Sequence, residues 1–508
     1  MPAHFAMPVT VPSTAAGDPA PPGAGALAAR VAAGPGLWED EDWLAERRRE
    51  SLLESLPGSG TIRAGAAAGD GHKIDRVLNA PVTALCLVAG ALFPALGYAS
   101  VLSLVFGLPG LPVRPGAKTP SGAAYSKARA RSGEAAARAM FEADAARGDI
   151  PAGPDGTAFG LEITQLDGTT LEMPKDPDLA DAFGVPRAGT KPVMRLAGLL
   201  HSGTRRWIAA AIGGYHDSEN TLADQLTPYF REGQLNLADR GFFSMHRWLA
   251  LSATGAHLLW RARNGARSVP YKTLEVLPDG SELVLMRESA AMRYRRRKTA
   301  GDSTLPRLPD TVARLVCFTI LTRTRGGRAK TTQVRLVTTL LDPDLYPAAE
   351  LAALYARRWL VEIAFLHLKK TVRGTGRVLR GRSEELVRQD AWALLLAHNI
   401  TAGLAARAAA TAGLSPGQVT FTAVLALARA AVTADTCCPH CGKRPASPDD
   451  PTAELDAAIL AHPPGRTGRQ RTSGRTSAQR RTWASEPVDY TYAITPSNLP
   501  KADESPGS

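Results

Sequence analysis

Three carboxylates stand where this sequence changes texture, and oxygen donors of that kind are what hard divalent cations take as ligands. Asp167 follows the run GLEITQL and precedes Gly168, and Asp239 follows QLNLA and precedes Arg240-Gly241. The spacing predicts that each closes a β-strand, and loops at strand ends of an open α/β sheet shape clefts. A turn-capping role accounts equally for either Asp taken alone. The third acid, Glu362, lies in LYARRWLVEIAFLHLKKTVRG, a stretch with helical periodicity.

Within that stretch Tyr355, Arg358, Glu362 and Lys369 fall at offsets of 0, 3, 7 and 14, one face of a helix. Such a stripe packs poorly in a core and suits metal and phosphate. Glu362 would complete a metal cage with Asp167 and Asp239, Arg358 and Lys369 would hold phosphates, and Tyr355 would touch backbone or base. A solvated amphipathic helix with an Arg358–Glu362 pair at i,i+4 fits the same residues. Three such acids with cations beside them suit metal-assisted chemistry at a phosphate group. Two Mg2+ or Mn2+ ions held about 4 Å apart can activate an attacking oxygen and stabilise a leaving one. Histidine or cysteine donors would favour zinc instead.

The elements that must position these groups read as α/β. Strand-like runs FGLEITQLDG, RLAGLLH, RWIAAAIGGYH and QLNLADRGF follow one another from Phe159, with a helix expected over Ser244–Thr254. Short β-rich pieces between Arg261 and Leu341 predict a strand-built insertion, and helices are expected from Pro347 to about Ala431. Upstream, Leu37–Leu56 reads as an amphipathic helix, and Val77–Val113 carries no charge. That stretch is long enough for a bilayer, but Pro94 and its glycines favour two buried helices instead. Thr119–Gly133 begins like a helix cap and then presents Lys127, Arg129 and Arg131, a candidate DNA-contacting unit or a solvated basic face. Arg240, beside Asp239, joins the candidate DNA contacts.

A surplus of 60 Lys+Arg over 48 Asp+Glu favours a phosphate polyanion as partner. Only five cysteines are present, so a disulfide framework is not expected, and the N-terminus shows no signal-peptide pattern. Residues 1–36 are expected as a disordered leader and 433–508 as a flexible basic tail. That tail holds Arg466, Arg469, Arg471, Arg475, Arg480 and Arg481. Cys438-Pro-His-Cys441 supplies two zinc-type ligands where a structural site needs four. MRYRRRK (Met292–Lys298) is a candidate phosphate grip. Phe242, Phe243 and Trp260 are expected to pack, with base stacking as their other use, and His367 to pack or touch DNA.

Taken together, the Tyr355, Arg358, Glu362 and Lys369 spacing resembles the Y-R-E-K signature of a branch of bacterial insertion-sequence DDE transposases. LDGTTLEMPKD around Asp167 and LADRGFFS around Asp239 are similar to that branch's first two acidic motifs. Similarity extends to ALFPALGYASVLSLVFG, ATGAHLLWRARNG and VLRGRSEELVRQDAWALLLAHNIT, about residues 70–410. The resemblance implies a ribonuclease H-like catalytic domain over 155–432, with a β-rich insertion at about 261–341, behind a helical DNA-binding domain over 37–150. It further implies binding of double-stranded DNA at transposon ends and target and a homodimer in a synaptic complex on the bacterial nucleoid; the cysteine usage and the single broken apolar stretch point to the cytoplasm without a membrane.

Overall fold

The computed structural model describes residues 38–39, 51–69, 77–111, 113, 117–263, 270–323, 329–436, 444–445, 451–462 and 490–494. The leader over 1–36, the Cys438/Cys441 pair and the arginines of the tail lie outside the described residues.

Helices α1 (Leu52–Ser55), α2 (Ser59–Ala68), α3 (Ala80–Leu92), α4 (Tyr98–Phe106) and α5 (Gly122–Ala145) come first. The uncharged stretch is α3 and α4. Asn79 caps α3 by accepting from Val82 N–H, Pro81 occupies its first turn, and the break falls at Pro94. Of the helix expected over Leu37–Leu56, α1 is present, but Trp38–Glu39 is extended and pairs with Arg444–Pro445. A partner so remote in the chain leaves no local periodicity.

The following half is built on a sheet. Strands β1 (Leu161–Glu172), β2 (Val193–His201) and β3 (Trp207–Gly213) form an antiparallel meander. Helices α6 (Pro177–Phe183) and α7 (Glu219–Asp224) lie in the connections after β1 and β3. Strand β4 (Gln234–Ala238) then runs parallel to β1. After α8 (Met245–Ser252, capped by Ser244), β5 (His257–Arg261) runs parallel to β4. The order 3-2-1-4-5, with that mixture of directions, is ribonuclease H-like.

The insertion contributes β6 (Tyr271–Val276), β7 (Glu282–Met286), helix α9 (Ala290–Ala300), β8 (Thr311–Arg323) and β9 (Ala329–Thr338). It does not stand apart. Strand β9 pairs antiparallel with β5, so one sheet runs β3-β2-β1-β4-β5-β9-β8-β7-β6.

Helices α10 (Ala348–Tyr355), α11 (Trp359–Leu366), α12 (Glu384–Thr411), α13 (Phe421–Ala434) and α14 (Pro451–Leu460) follow. Leu171, Met194, Leu196 and Trp207 of the sheet share one apolar core with α3–α5 and α11–α13. The opposite face, through Leu166, Ala197 and Leu199, packs on α7, α8 and the insertion. Among the described residues α12 alone is long and apolar enough to cross a membrane, and 89% of its apolar window is buried inside the protein. It is the hub of the helical layer.

Candidate active site

Side chains alternate across a strand, so residues 163, 165, 167, 169 and 171 share one face of β1. That face meets α10–α11 and the turns that follow. Ile163 packs in the cluster holding Leu351 and Leu354. Gln165 bonds the backbone of Arg357 and Val361. Asp167 faces Arg358 at 3.8 Å, and Thr169 accepts from Lys369 Nζ at 2.8 Å. Asp167 is not at the strand's end. It lies inside β1, opposite Gly198 of β2, because the antiparallel ladder keeps β1 extended. What ends there is the parallel neighbour: Leu166 pairs with Ala238, the last residue of β4, and Asp239 follows it.

Glu362 enters from α11. Arg358 Nη2 donates to its Oε1 at 2.7 Å, so one guanidinium stands between Glu362 and Asp167. The acids feel one another through this small space. Burial lifts the Asp167 carboxyl to about 7, against the pull of Arg358 and the Gly168 N–H, and Glu362 and Asp239 push the same way. Burial likewise raises Glu362, opposed by Arg358 and aided by Asp239. Asp167, Asp239 and Glu362 are thus brought into one electrostatic neighbourhood. They are not drawn into a closed cage: among the described residues no three His, Cys, Asp or Glu groups are set to grip a metal. The cation between Asp167 and Glu362 is Arg358.

The four-residue stripe lies on a continuous helical path, though not an ideal α-helix. A tight turn over Ala356–Arg358 and a wide one over His367–Val372 flank α11. The Tyr355 hydroxyl donates to the Ala238 carbonyl at 3.1 Å, beside Asp239, and burial pushes its phenol above the usual range. Burial lowers Lys369, with Arg373 and Lys370 adding to the effect. Every member of the stripe therefore touches β1, the end of β4 or another member.

The candidate DNA contacts divide. Lys127 and Arg240 are exposed, and Arg131 is half-buried. Arg129 is no surface cation. It is buried and donates to Gln389 Oε1, Tyr98 Oη, the Leu386 carbonyl and Asp390. It shares the packed face of α5 with Tyr125, Ser132 and Ala136, at offsets a basic-patch reading overlooks. In MRYRRRK, Arg296 and Arg297 are spent on Glu288 and the Leu305 carbonyl, whereas Tyr294 is 67% exposed. Phe243, Trp248 and Trp260 pack edge to face, and Trp260 Nε1 donates to Asn236. His367 stacks on Phe421 at 4.2 Å.

Two positioning residues escaped the sequence reading. Gln165 is a polar residue within an apolar run, two before Asp167, and that phase is the signal that finds it. Asn399 of α12 accepts from Trp207 N–H at 2.8 Å and donates to its carbonyl at 2.9 Å, fixing the start of β3. No local pattern announces it.

The sheet order is ribonuclease H-like, and Asp167, Asp239 and Glu362 gather about Arg358 beside its parallel strands. Residues 158–400 match the transposase DDE domain family. The chain is 31% identical over 285 residues to transposase InsG for insertion sequence element IS4 of Escherichia coli (strain K12), covering 54% of this chain and 59% of InsG. It is 29% identical over 106 residues to InsZ of the same strain, 20% of this chain and 36% of InsZ. The chain thus spans between about a third and three-fifths of the curated relatives it matches. The cryo-EM structure of the piggyBac transposase synaptic complex with hairpin DNA superposes with a TM-score of 0.35 at 9% identity, covering 80% of this chain and 76% of that one, too loose to carry an argument.

Proposed function

We propose that this protein is a DNA transposase that binds the terminal inverted repeats of an insertion sequence and cuts and rejoins phosphodiester bonds there. The observation that supports it is the gathering of Asp167, Asp239 and Glu362 about Arg358, where β4 ends beside β1.

The DDE family uses divalent metal ions. In our reading Asp167, Asp239 and Glu362 would hold two, Mg2+ or Mn2+. The donor set fits them: it is all oxygen, and a buried carboxyl lifted to about 7 is one whose charge a cation would stabilise. When bound, such ions neutralise the phosphate and activate the attacking oxygen. The chain's own groups do the rest. Arg358 orients Glu362 and Asp167 and lies ready to pair with a phosphate oxygen. Lys369, held by Thr169, offers a second cation on the same face. Tyr355 anchors this helix to the end of β4. Water hydrolyses one phosphodiester at the element's end, freeing a 3′-hydroxyl. That hydroxyl then attacks a phosphodiester of target DNA and displaces its 3′-oxygen, with no covalent protein intermediate.

On this reading residues 37–150 are the DNA-binding part, in which Lys127 and Arg131 face DNA. Residues 155–432 form the catalytic domain, with Arg240 at its DNA-facing edge, and 433–508 add salt-sensitive affinity. Two protomers synapse paired double-stranded ends on the bacterial nucleoid.

The test is incubation of the purified chain with DNA carrying the element's ends in Mg2+, parent against Glu362→Gln. Nicking and strand transfer should fall at least about a hundredfold in the variant with DNA binding retained. Equal cutting by both overturns the assignment, and cutting without joining reduces it to a metal nuclease.

A further inference from the structure

A cavity of about 460 Å3 lies between α3–α5, the segment after the wide turn at His367–Val372, and α12. Its lining is unusual in charge. Arg129, Arg373, Arg377, Arg380 and Arg382 all border it, with Asp390 as the sole carboxylate among its lining residues. That carboxylate is already committed. It accepts from Arg129 and from the backbone N–H groups of Arg380 and Gly381 at 2.8 and 2.7 Å.

The remaining guanidiniums are weakly compensated. Arg377 and Arg380 donate to the Pro94 carbonyl, a neutral acceptor. Arg382 reaches Asp176 only at 3.9 Å, with its side chain 74% exposed. Arg373 is the most telling. Its Nε and Nη1 are shielded from solvent and have no hydrogen-bond partner among the described residues, and burial lowers its affinity for a proton against the opposing charge of Glu172. Shielded donors without acceptors cost free energy, and clustered like charges add to that cost, unless an anion supplies both.

The cavity is also well placed. Arg373 follows Lys369 by four residues, and Pro174 of the lining lies just beyond the end of β1, the strand that carries Asp167. The polar lining apart from Asp390 consists of guanidiniums and the Tyr98 and Tyr125 phenols, with no amide side chain to read a base edge. Such a lining suits the bidentate geometry of phosphate and carries no sequence information.

We propose that this cavity takes one backbone phosphate of the DNA strand that crosses the acids, so that the N-terminal helices and the catalytic sheet grip substrate jointly. The proposal rests on the transposase reading. It predicts a contact independent of DNA sequence that exists before any bond is cut.

The experiment uses the full chain in EDTA and a fluorescent duplex of mixed sequence, with affinity followed by anisotropy across a salt series. Arg373→Gln and Arg377→Gln should each lower the slope of log affinity against log salt by about one and weaken binding several-fold at 0.15 M salt. Without DNA, Arg373→Gln should melt no earlier than the parent, because it removes shielded donors that lack acceptors. If it does melt early, Arg377→Gln, on an exposed residue, decides the question alone. Unchanged slope and affinity in Arg377→Gln and in a folded Arg373→Gln overturn the proposal. So does a result in which inorganic phosphate stabilises the parent but not Arg373→Gln while duplex binding is unaffected, since the cavity would then serve a free anion. No bond is cut in EDTA, so the outcome is independent of whether Glu362→Gln abolishes cleavage.

Discussion

Gln165 grips the helix backbone across from Val361: its Oε1 accepts from the Val361 N–H at 2.8 Å while its Nε2 donates to the Arg357 carbonyl at 2.9 Å. The two backbone groups bracket Arg358 and precede Glu362 in the first turn of α11, where N–H groups lack partners inside the helix. Gln165 lies two residues before Asp167 on the same face of β1. One carboxamide therefore sets where the third acid stands relative to the first.

Gln165→Leu keeps the bulk and removes both bonds, together with the one Nε2 donates to Ser202 Oγ at 2.8 Å. Each stranded backbone group costs about 1–3 kcal/mol, so urea denaturation should show a loss of about 2–6 kcal/mol. Cleavage should fall further than stability explains, with DNA affinity unchanged. Parental cleavage rates in folded Gln165→Leu would show that α11 is positioned by other contacts.

This relationship marks what the sequence can disclose. Short apolar runs bounded by Gly, Asp or His exposed β1 to β4, and the polar breaks after QLNLA and within ITQLDG exposed the acids. The position of Asp167 inside a strand was hidden, since strand length depends on β2 pairing along it, not on where the apolar run stops. Arg129 was misread because α5 buries a face that is basic in composition. The insertion's strands were legible, but their continuation of the sheet that carries Asp167 depends on β9 finding β5, a pairing of residues about 75 apart. The face shared by Tyr355, Arg358, Glu362 and Lys369 was legible because helical phase survives the tight and wide turns flanking α11.

Arg358 stands between Glu362 and Asp167, so removing it leaves two crowded carboxylates without a counter-charge. Arg358→Met should lower stability in EDTA by about 1–3 kcal/mol, less than a fully buried pair would cost because Glu362 is partly open to solvent. Added Mg2+ or Mn2+ should then raise the melting temperature of the variant more than that of the parent. Equal melting in EDTA and an equal metal response would mean that Arg358 does not balance these acids.

A ring ladder behind the site predicts acid sensitivity. His398 lies between Trp207 and Phe421 at 5.7 and 5.2 Å, and His367 stacks on the same Phe421. Burial pushes His398 down to about 3 and His367 to about 4. Below the ordinary imidazole value near 6.5 the unfolded chain binds protons that the folded one refuses, so stability falls as pH drops through 6.5 towards those values. The loss should reach about 2 kcal/mol per imidazole at pH 5. Urea midpoints at pH 7.5 and 5 would measure it, and His398→Leu should flatten the dependence. A parental slope in that variant would place the acid sensitivity elsewhere.

Gly198 tests how tightly the first acid is packed. It pairs with Asp167 across β1 and β2, and a Cβ there would lie 2.7 Å from Trp207 Cζ3 and 2.8 Å from Cε3. The ring cannot easily retreat, because Asn399 holds the Trp207 backbone on both sides and Phe365 of α11 packs on the ring at 4.5 Å. Gly198→Ala should therefore cost about 1–3 kcal/mol and displace either Asp167 or α11, lowering cleavage as well. Trp207 Nε1 has no hydrogen-bond partner among the described residues, so Trp207→Phe gives up packing but no bond. Combined with Gly198→Ala, the smaller ring should restore part of both stability and cleavage, a coupling that a double-mutant cycle measures directly. Strict additivity of the two substitutions would mean that the clash is relieved elsewhere and that Trp207 does not confine Asp167.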